Sequence, residues 1–275
     1  MSLLNHALSA AQARPPGAAA RPARIAVLIG AGGALGSAVL EQALACGDFA
    51  RVRAVVTTPV APALRGFESA TLAELQAGGA AHAPDTALIV FDRERHANGR
   101  DAAFLRPEPQ QLPGLARTLR DAGVRHLLVV LPHVAASLPT ALKHGLASLD
   151  EQAVAALDFE HLVIVRSAQP PRTVRGSRLE RLAAWMLTQL HLMVPQGDQP
   201  VRAVKVASFV VQLARRLPLA RRGTRVVPPE VVWRGAQDDA VAAVVHAWLH
   251  DEAMPPLRTP ARRPPRALGG RPPEA

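Results

Sequence analysis

Apolar residues along the chain fall into two alternating rhythms. Short, near-continuous aliphatic and β-branched runs occur at 24–29 (Arg-Ile-Ala-Val-Leu-Ile), 52–56, 87–91, 125–131 and 161–165. Runs of this length that are apolar at nearly every position suit strands buried on both faces of a parallel sheet. Between them, apolar residues recur three and four apart. Leu35, Val39, Leu40, Ala43 and Leu44 predict a helix over 34–45. Leu112, Leu115, Ala116 and Leu119 predict one over 110–122, and Leu142, Leu146, Leu149, Ala153, Ala156 and Leu157 predict a long one over 138–157. Gly47 and Gly123 stand where the first two should stop. Pro59 and Pro62 interrupt the pattern after the second strand, and a short strand at 64–68 and one or two helical turns at 72–76 follow.

Strands and helices that alternate in this way from 24 to 165 predict an α/β fold with a doubly wound parallel sheet. Beyond about residue 172 the rhythm becomes helical, with helices at 178–192, 201–213 and 238–249 and a short strand at 225–227. These elements read as a small, mostly helical lobe on the substrate side. The body then spans 24–252, between disordered extensions at 1–23 and 253–275.

The first strand runs into Gly30-Ala31-Gly32-Gly33-Ala34-Leu35-Gly36, and a helix follows. A glycine turn there lets the backbone approach a pyrophosphate, and the free N–H groups and positive dipole end of the helix bind its charge. Read as G-x-G-x-x-G, the last glycine comes one residue late. Gly30, Gly33 and Gly36 fit G-x-x-G-x-x-G without remainder. Residues 30–36 are therefore the expected cofactor loop.

Composition narrows the picture. The formal net charge is +10, but residues 1–24 supply three of these charges and residues 255–275 a net four. The body is close to balanced, so nucleic acid is not an expected partner. The Pro/Arg-rich end has no apolar periodicity to pack. No apolar stretch is long enough to cross a membrane. The N-terminus lacks the pattern of a secretory leader, and its Ala and Arg content matches the bias of the whole chain. Cys46 is the single cysteine, which excludes an intrachain disulfide and fits a reducing, cytoplasmic setting. It reads as a packed helix-end thiol. His246 and His250 stand four apart on the last helix without a third ligand motif and read as a solvated face.

The end of the second strand selects the cofactor in dinucleotide-binding folds, since a carboxylate there accepts hydrogen bonds from the ribose 2′-OH. This chain has Thr57-Thr58-Pro59 instead. The two hydroxyls can donate to a 2′-phosphate, with Arg65 as a further candidate, which favours NADP over NAD.

With the glycine turn, the order Gly123-Val-Arg-His-Leu-Leu-Val-Val-Leu131, Leu142-Lys143-His144-Gly145-Leu146, Leu149 to Phe159 and Leu162-Val-Ile-Val-Arg166 resembles the atypical, NAD(P)H-binding branch of the short-chain dehydrogenase/reductase superfamily. The resemblance covers about 25–235. It implies a Rossmann-like fold and a serine near the end of the fifth strand. It also implies a Tyr-x-x-x-Lys helix, then a strand closing on a turn at the substrate pocket. Lys143 falls at the family's lysine, which holds the nicotinamide ribose. Pro139 occupies the tyrosine position, and the chain has no tyrosine at all. Leu131-Pro132-His133 stands where the serine would be, and the pocket turn reads Arg166-Ser167-Ala168-Gln169-Pro170.

Reduction of a carbonyl needs a proton donor beside the nicotinamide, commonly a phenol with lowered pKa. Proline has no proton to give. His133, whose pKa can sit near neutrality, and Ser137 are the nearest replacements by position. Two expectations follow: a dinucleotide-binding protein whose reductase chemistry is lost or altered, or an oxidoreductase using His133 on a carbonyl or sugar-like substrate. The pattern specifies neither the substrate nor the oligomeric state.

Overall fold

The first strand shows why its run is apolar throughout. Ala26 and Leu28 face one layer of the molecule and Val27 and Ile29 the other, and all four are fully buried. Burial of each larger aliphatic side chain contributes about 1.5–3 kcal/mol. A strand of this kind is stable only with helices on both faces. A computed structural model describes residues 24–60, 64–77, 83–92, 101–133, 146, 148–168, 201–237 and 240–256. Its strands are β1 (Arg24–Ile29), β2 (Phe49–Val55), β3 (Phe67–Ala70), β4 (Thr86–Val90), β5 (His126–His133), β6 (His161–Ala168) and β7 (Gly223–Val227). They form one sheet in the order β3-β2-β1-β4-β5-β6-β7, and every pairing is parallel.

The helices are α1 (Gly33–Ala45), α2 (Leu72–Ala77), α3 (Leu112–Asp121), α4 (Leu149–Ala155), α5 (Ala203–Arg216), α6 (Pro229–Ala236) and α7 (Val241–Leu249). One core layer packs α1, α5, α6 and α7 on the sheet through residues such as Leu35, Val39, Phe209, Val232 and Val245. The other packs α2, α3 and α4 through Leu75, Leu115, Leu119 and Val154. The doubly wound parallel sheet predicted from the alternation is the observed architecture.

Three expectations need adjustment. The third strand starts at Phe67 instead of Leu64, because residues 64–66 are spent on a turn. Phe67 N–H donates to Leu64 O at 3.1 Å, and Gly66 takes φ +80°. The long helix over 138–157 is not continuous. Ser148 is extended (φ −133°, ψ 160°), and its hydroxyl accepts from Glu151 N–H at 3.1 Å, which starts α4 afresh at Leu149. A serine that satisfies an orphan N–H competes with helix continuation. Leu149, counted on the apolar stripe, is 82% exposed. Residues 138–145 lie outside the described residues.

The described C-terminal part completes the sheet layer itself. β7 is its edge strand, and α5 packs against α1. Residues 169–200, which hold the start of the expected lobe and the helix at 178–192, lie outside the described residues, as do 1–23 and 257–275. Among the described residues no helix is long and apolar enough to cross a membrane.

Candidate dinucleotide site

Strand order reverses between β1 and β4, and the Gly30–Gly36 turn sits at the C-terminal end of β1 beside that reversal. In open α/β sheets ligands bind in the crevice at such a switch point. Gly30 has φ +85° and Gly33 φ +83°, conformations that L side chains rarely adopt. A Cβ on Gly36 would overlap the Gly30 carbonyl oxygen, and one on Gly30 would overlap that of Val90. Gly30, Gly33 and Gly36 are thus the three positions that the backbone requires. Gly32 has an ordinary φ of −79° and serves as the N-cap of α1, with no side chain to close it. Ala31 and Leu35 are buried, and Ala34 is half-buried on the turn.

The first turn of α1 contains no acidic residue of its own. Its charge is met from β4 instead. Asp92, two residues past the end of that strand, accepts a hydrogen bond at Oδ2 from Leu35 N–H at 2.8 Å. A carboxylate therefore sits at the helix N-terminus, where the dipole and free N–H groups favour an anion.

A second group of contacts crosses the same edge. Residues 101–107 run back over the ends of β1 and β2. Gly30 N–H donates to Leu105 O at 3.2 Å, and Leu105 N–H to Val55 O at 2.9 Å. Phe104 forms an antiparallel bridge with Val56, and Thr57 N–H donates to Ala103 O at 2.8 Å. The Thr57 hydroxyl also reaches Ala103 O at 3.2 Å. A Cβ on Gly32 would lie 3.2 Å from Asp101 O, so the segment covers the turn itself. Arg106 ties the segment to the carboxylate loop by donating to the Asp92 carbonyl at 3.2 Å.

The other expected site residues are placed as follows. Thr58 is exposed just past the end of β2. Arg65 precedes β3 and so stands at the N-terminal edge of the sheet, opposite the glycine turn. It cannot reach a 2′-phosphate at the C-terminal edge. His133 is the last residue of β5, in register with Ala168 of β6, which brings its backbone to the same edge as the turn. Lys143, Pro139 and Ser137 lie outside the described residues. At that edge of β6, Arg166 is buried and donates to Glu151 Oε2 of α4 at 2.7 Å. The adjacent Ser167 hydroxyl is fully buried, with no hydrogen-bond partner among the described residues.

Sequence reasoning missed Asp92, the Asp101–Pro107 segment and the Glu151–Arg166 pair. One signal was present. Asp92 directly follows the apolar run Ala87–Phe91, and in a doubly wound sheet that strand lies beside β1. The segment 101–107 carries no periodicity that marks it.

The opposite edge of the sheet holds a separate cluster. His126 and His161, paired across β5 and β6, approach through their Nδ1 atoms at 2.9 Å, and His161 Nε2 meets Ala220 O at 3.1 Å. The carbonyl has only lone pairs, so His161 Nε2 carries the proton, and His126 Nδ1–H donates to bare His161 Nδ1. Burial, followed by the neighbouring His161, lowers the His126 pKa to about 4. Glu160 lies close enough to join a three-ligand metal set. Its carboxylate, however, faces Arg125 at 3.8 Å and Arg222 at 3.5 Å, and two guanidiniums disfavour a cation there. His246 and His250 are exposed, as expected, and Cys46 is half-buried with its thiol on Ala43 O at 3.2 Å.

No protein-family model and no curated sequence matches the chain. Among solved structures, it is similar to a Rossmann-fold NAD(P)-binding family protein from Shigella flexneri (15% identity, TM-score 0.45, 74% of this chain and 92% of that one). It is also similar to an oxidoreductase of the short-chain dehydrogenase/reductase family from Burkholderia thailandensis (16%, TM-score 0.42, 85% and 99%). A third is a short-chain dehydrogenase with bound NAD+ from Leptospira borgpetersenii (10%, TM-score 0.42, 75% and 92%). The fold assignment rests on strand order and on the position of the glycine turn. By those features this chain is a Rossmann-like α/β protein with a doubly wound parallel sheet.

Proposed function

We propose that the protein binds a nicotinamide dinucleotide at the Gly30–Gly36 turn, and that its reductase chemistry is lost or altered, leaving a cofactor-responsive binding or regulatory role. The observation that carries this reading is the turn. It uses positive-φ Gly30 and Gly33 and a helix-to-strand contact only Gly36 allows, and it opens α1 at the switch point of the sheet. Ala31, Gly32, Ala34 and Leu35 complete the backbone that would face the pyrophosphate. Thr57 and Thr58 supply hydroxyls without a carboxylate at the end of β2, which supports NADP over NAD. The missing phenol at Pro139 supports lost or altered chemistry.

Fluorescence titration with NADPH and NADH tests the site. Ala34→Asp adds a carboxylate on the helix's first turn where a pyrophosphate would lie. It avoids the backbone strain that any side chain on Gly33 would bring. Binding by wild type and none by the variant, with both folded by circular dichroism, is the expected result. Equal affinity in the two proteins overturns the site. A preference for NADH overturns the choice of cofactor and leaves the site intact.

A second reading has one observation in its favour: β5 brings the backbone of His133 to the same sheet edge as the turn. In that reading His133 donates the proton for NADPH-dependent reduction of a carbonyl or sugar-like substrate, with Lys143 holding the nicotinamide ribose. Turnover that disappears in His133→Ala at unchanged cofactor affinity would establish it.

A further inference from the structure

We propose that the dinucleotide cleft is latched by the chain's own atoms, the Asp92 carboxylate and the Asp101–Pro107 segment, and that a dinucleotide binds by displacing both. The proposal rests on the dinucleotide reading above.

The latch satisfies the same donors that a dinucleotide would. A pyrophosphate oxygen would accept from an N–H in the first turn of α1, and Asp92 Oδ2 already accepts from Leu35 N–H at 2.8 Å. A ribose at the end of β2 would meet Thr57, and the Thr57 N–H and hydroxyl are both on Ala103 O, at 2.8 and 3.2 Å. Between these two points Leu105 closes the gap between strands, accepting from Gly30 N–H and donating to Val55 O. The Arg106 contact with the Asp92 carbonyl joins the two parts, so release of one loosens the other.

The latch is lightly held. Of residues 101–107 only Pro107 is buried. Phe104 and Leu105 are only half-buried against the two core layers, and the rest of the hold is backbone hydrogen bonds, whose exchange for ligand or water bonds costs little. Asp92 also adds repulsion, because its charge has the sign of the pyrophosphate. Binding then draws on the open fraction, so the apparent affinity falls by that fraction.

Two changes to the full-length protein test this, in a Cys46→Ala background. The first pairs Val56→Cys with Phe104→Cys. These bridge partners stand directly opposite across an antiparallel pair, a separation a disulfide spans. The second is Asp92→Asn, which keeps a polar group on the α1 N-terminus and removes the repelling charge. NADPH and NADH affinities are read by fluorescence, with folding checked by circular dichroism. The oxidised bridge should lose at least about tenfold in affinity relative to the same protein after reduction, and Asp92→Asn should gain by a similar factor. An oxidised bridge that binds as well as the reduced form overturns the latch and leaves the dinucleotide site standing. Failure of wild type, reduced bridge and Asp92→Asn alike to bind either nucleotide overturns the dinucleotide reading itself.

Discussion

At the scale of single residues, the chemistry depends on what each position removes as much as on what it supplies. On the proposed reading, Pro139 stands where the resembled family carries its phenolic acid. If the chemistry is degenerate, Lys143 serves only the bound cofactor. Lys143→Ala should then weaken NADPH binding by about 1–2 kcal/mol, the cost of losing a hydrogen bond from a charged group, and neither form should reduce a carbonyl. His126 makes a separate prediction. Burial, then His161, with smaller contributions from Arg125 and Arg24 against the opposing Asp85, holds its pKa at about 4. In the unfolded chain it titrates near 6.5. Between those values the unfolded state binds the extra proton, so this group stops stabilising the fold as pH falls from 6.5 to 4, by ~1.4 kcal/mol per unit. Above 6.5 its contribution is flat. Melting temperatures across pH 4–8 for wild type and His126→Gln should show a steeper acid decline in wild type, and parallel curves would contradict the assignment.

At the scale of elements, α4 is short and depends on its ends. Ser148 caps one end, and Glu151 anchors the first turn to Arg166 of β6 with both side chains buried. Removing one partner takes a 2.7 Å ion-pair contact from a charge that stays in the interior. Glu151→Ala should cost about 3–5 kcal/mol, read as a drop in the urea midpoint, while replacing both residues with methionine should cost much less. A small effect of the single change would show that groups other than Glu151 satisfy Arg166. The element between the sheet and α3 follows another logic. Residues 101–107 form one 3₁₀ turn over Asp101–Ala103 and a single bridge at Phe104, yet they make the contacts that cover the glycine turn. Their place is set by unpaired N–H and C=O groups at the ends of β1 and β2, which a buried edge must satisfy.

At the scale of the whole molecule, the seven parallel strands and two helical layers account for the apolar runs of the described residues. The basic ends, 1–23 and 257–275, lie outside the described residues, and their sequence lacks apolar periodicity with which to join either core layer. Deleting 1–20 and 257–275 should leave the melting temperature and NADPH affinity nearly unchanged, and a large fall in either would mean that an end docks on the body.

The sequence alone determined the parts that rest on local, repeated physics. Near-continuous apolar runs must be covered on both faces, which made the parallel sheet and the alternation of layers legible. Glycines at 30, 33 and 36 named the turn, because only glycine tolerates that backbone and that approach of helix to strand. The start of α4 after Ser148 is a local matter that the leucine stripe hid, since the serine hydroxyl caps Glu151 N–H three residues on. Tertiary structure decided what depends on distant partners. That Arg65 lies on the wrong edge followed from the direction of β3. The closing of the turn by Asp92 and residues 101–107 follows from strand order, which sets the end of β4 beside β1. It brings a carboxylate and a pattern-free segment to the backbone donors of Leu35, Gly30 and Thr57, which the helix and strands leave without partners of their own.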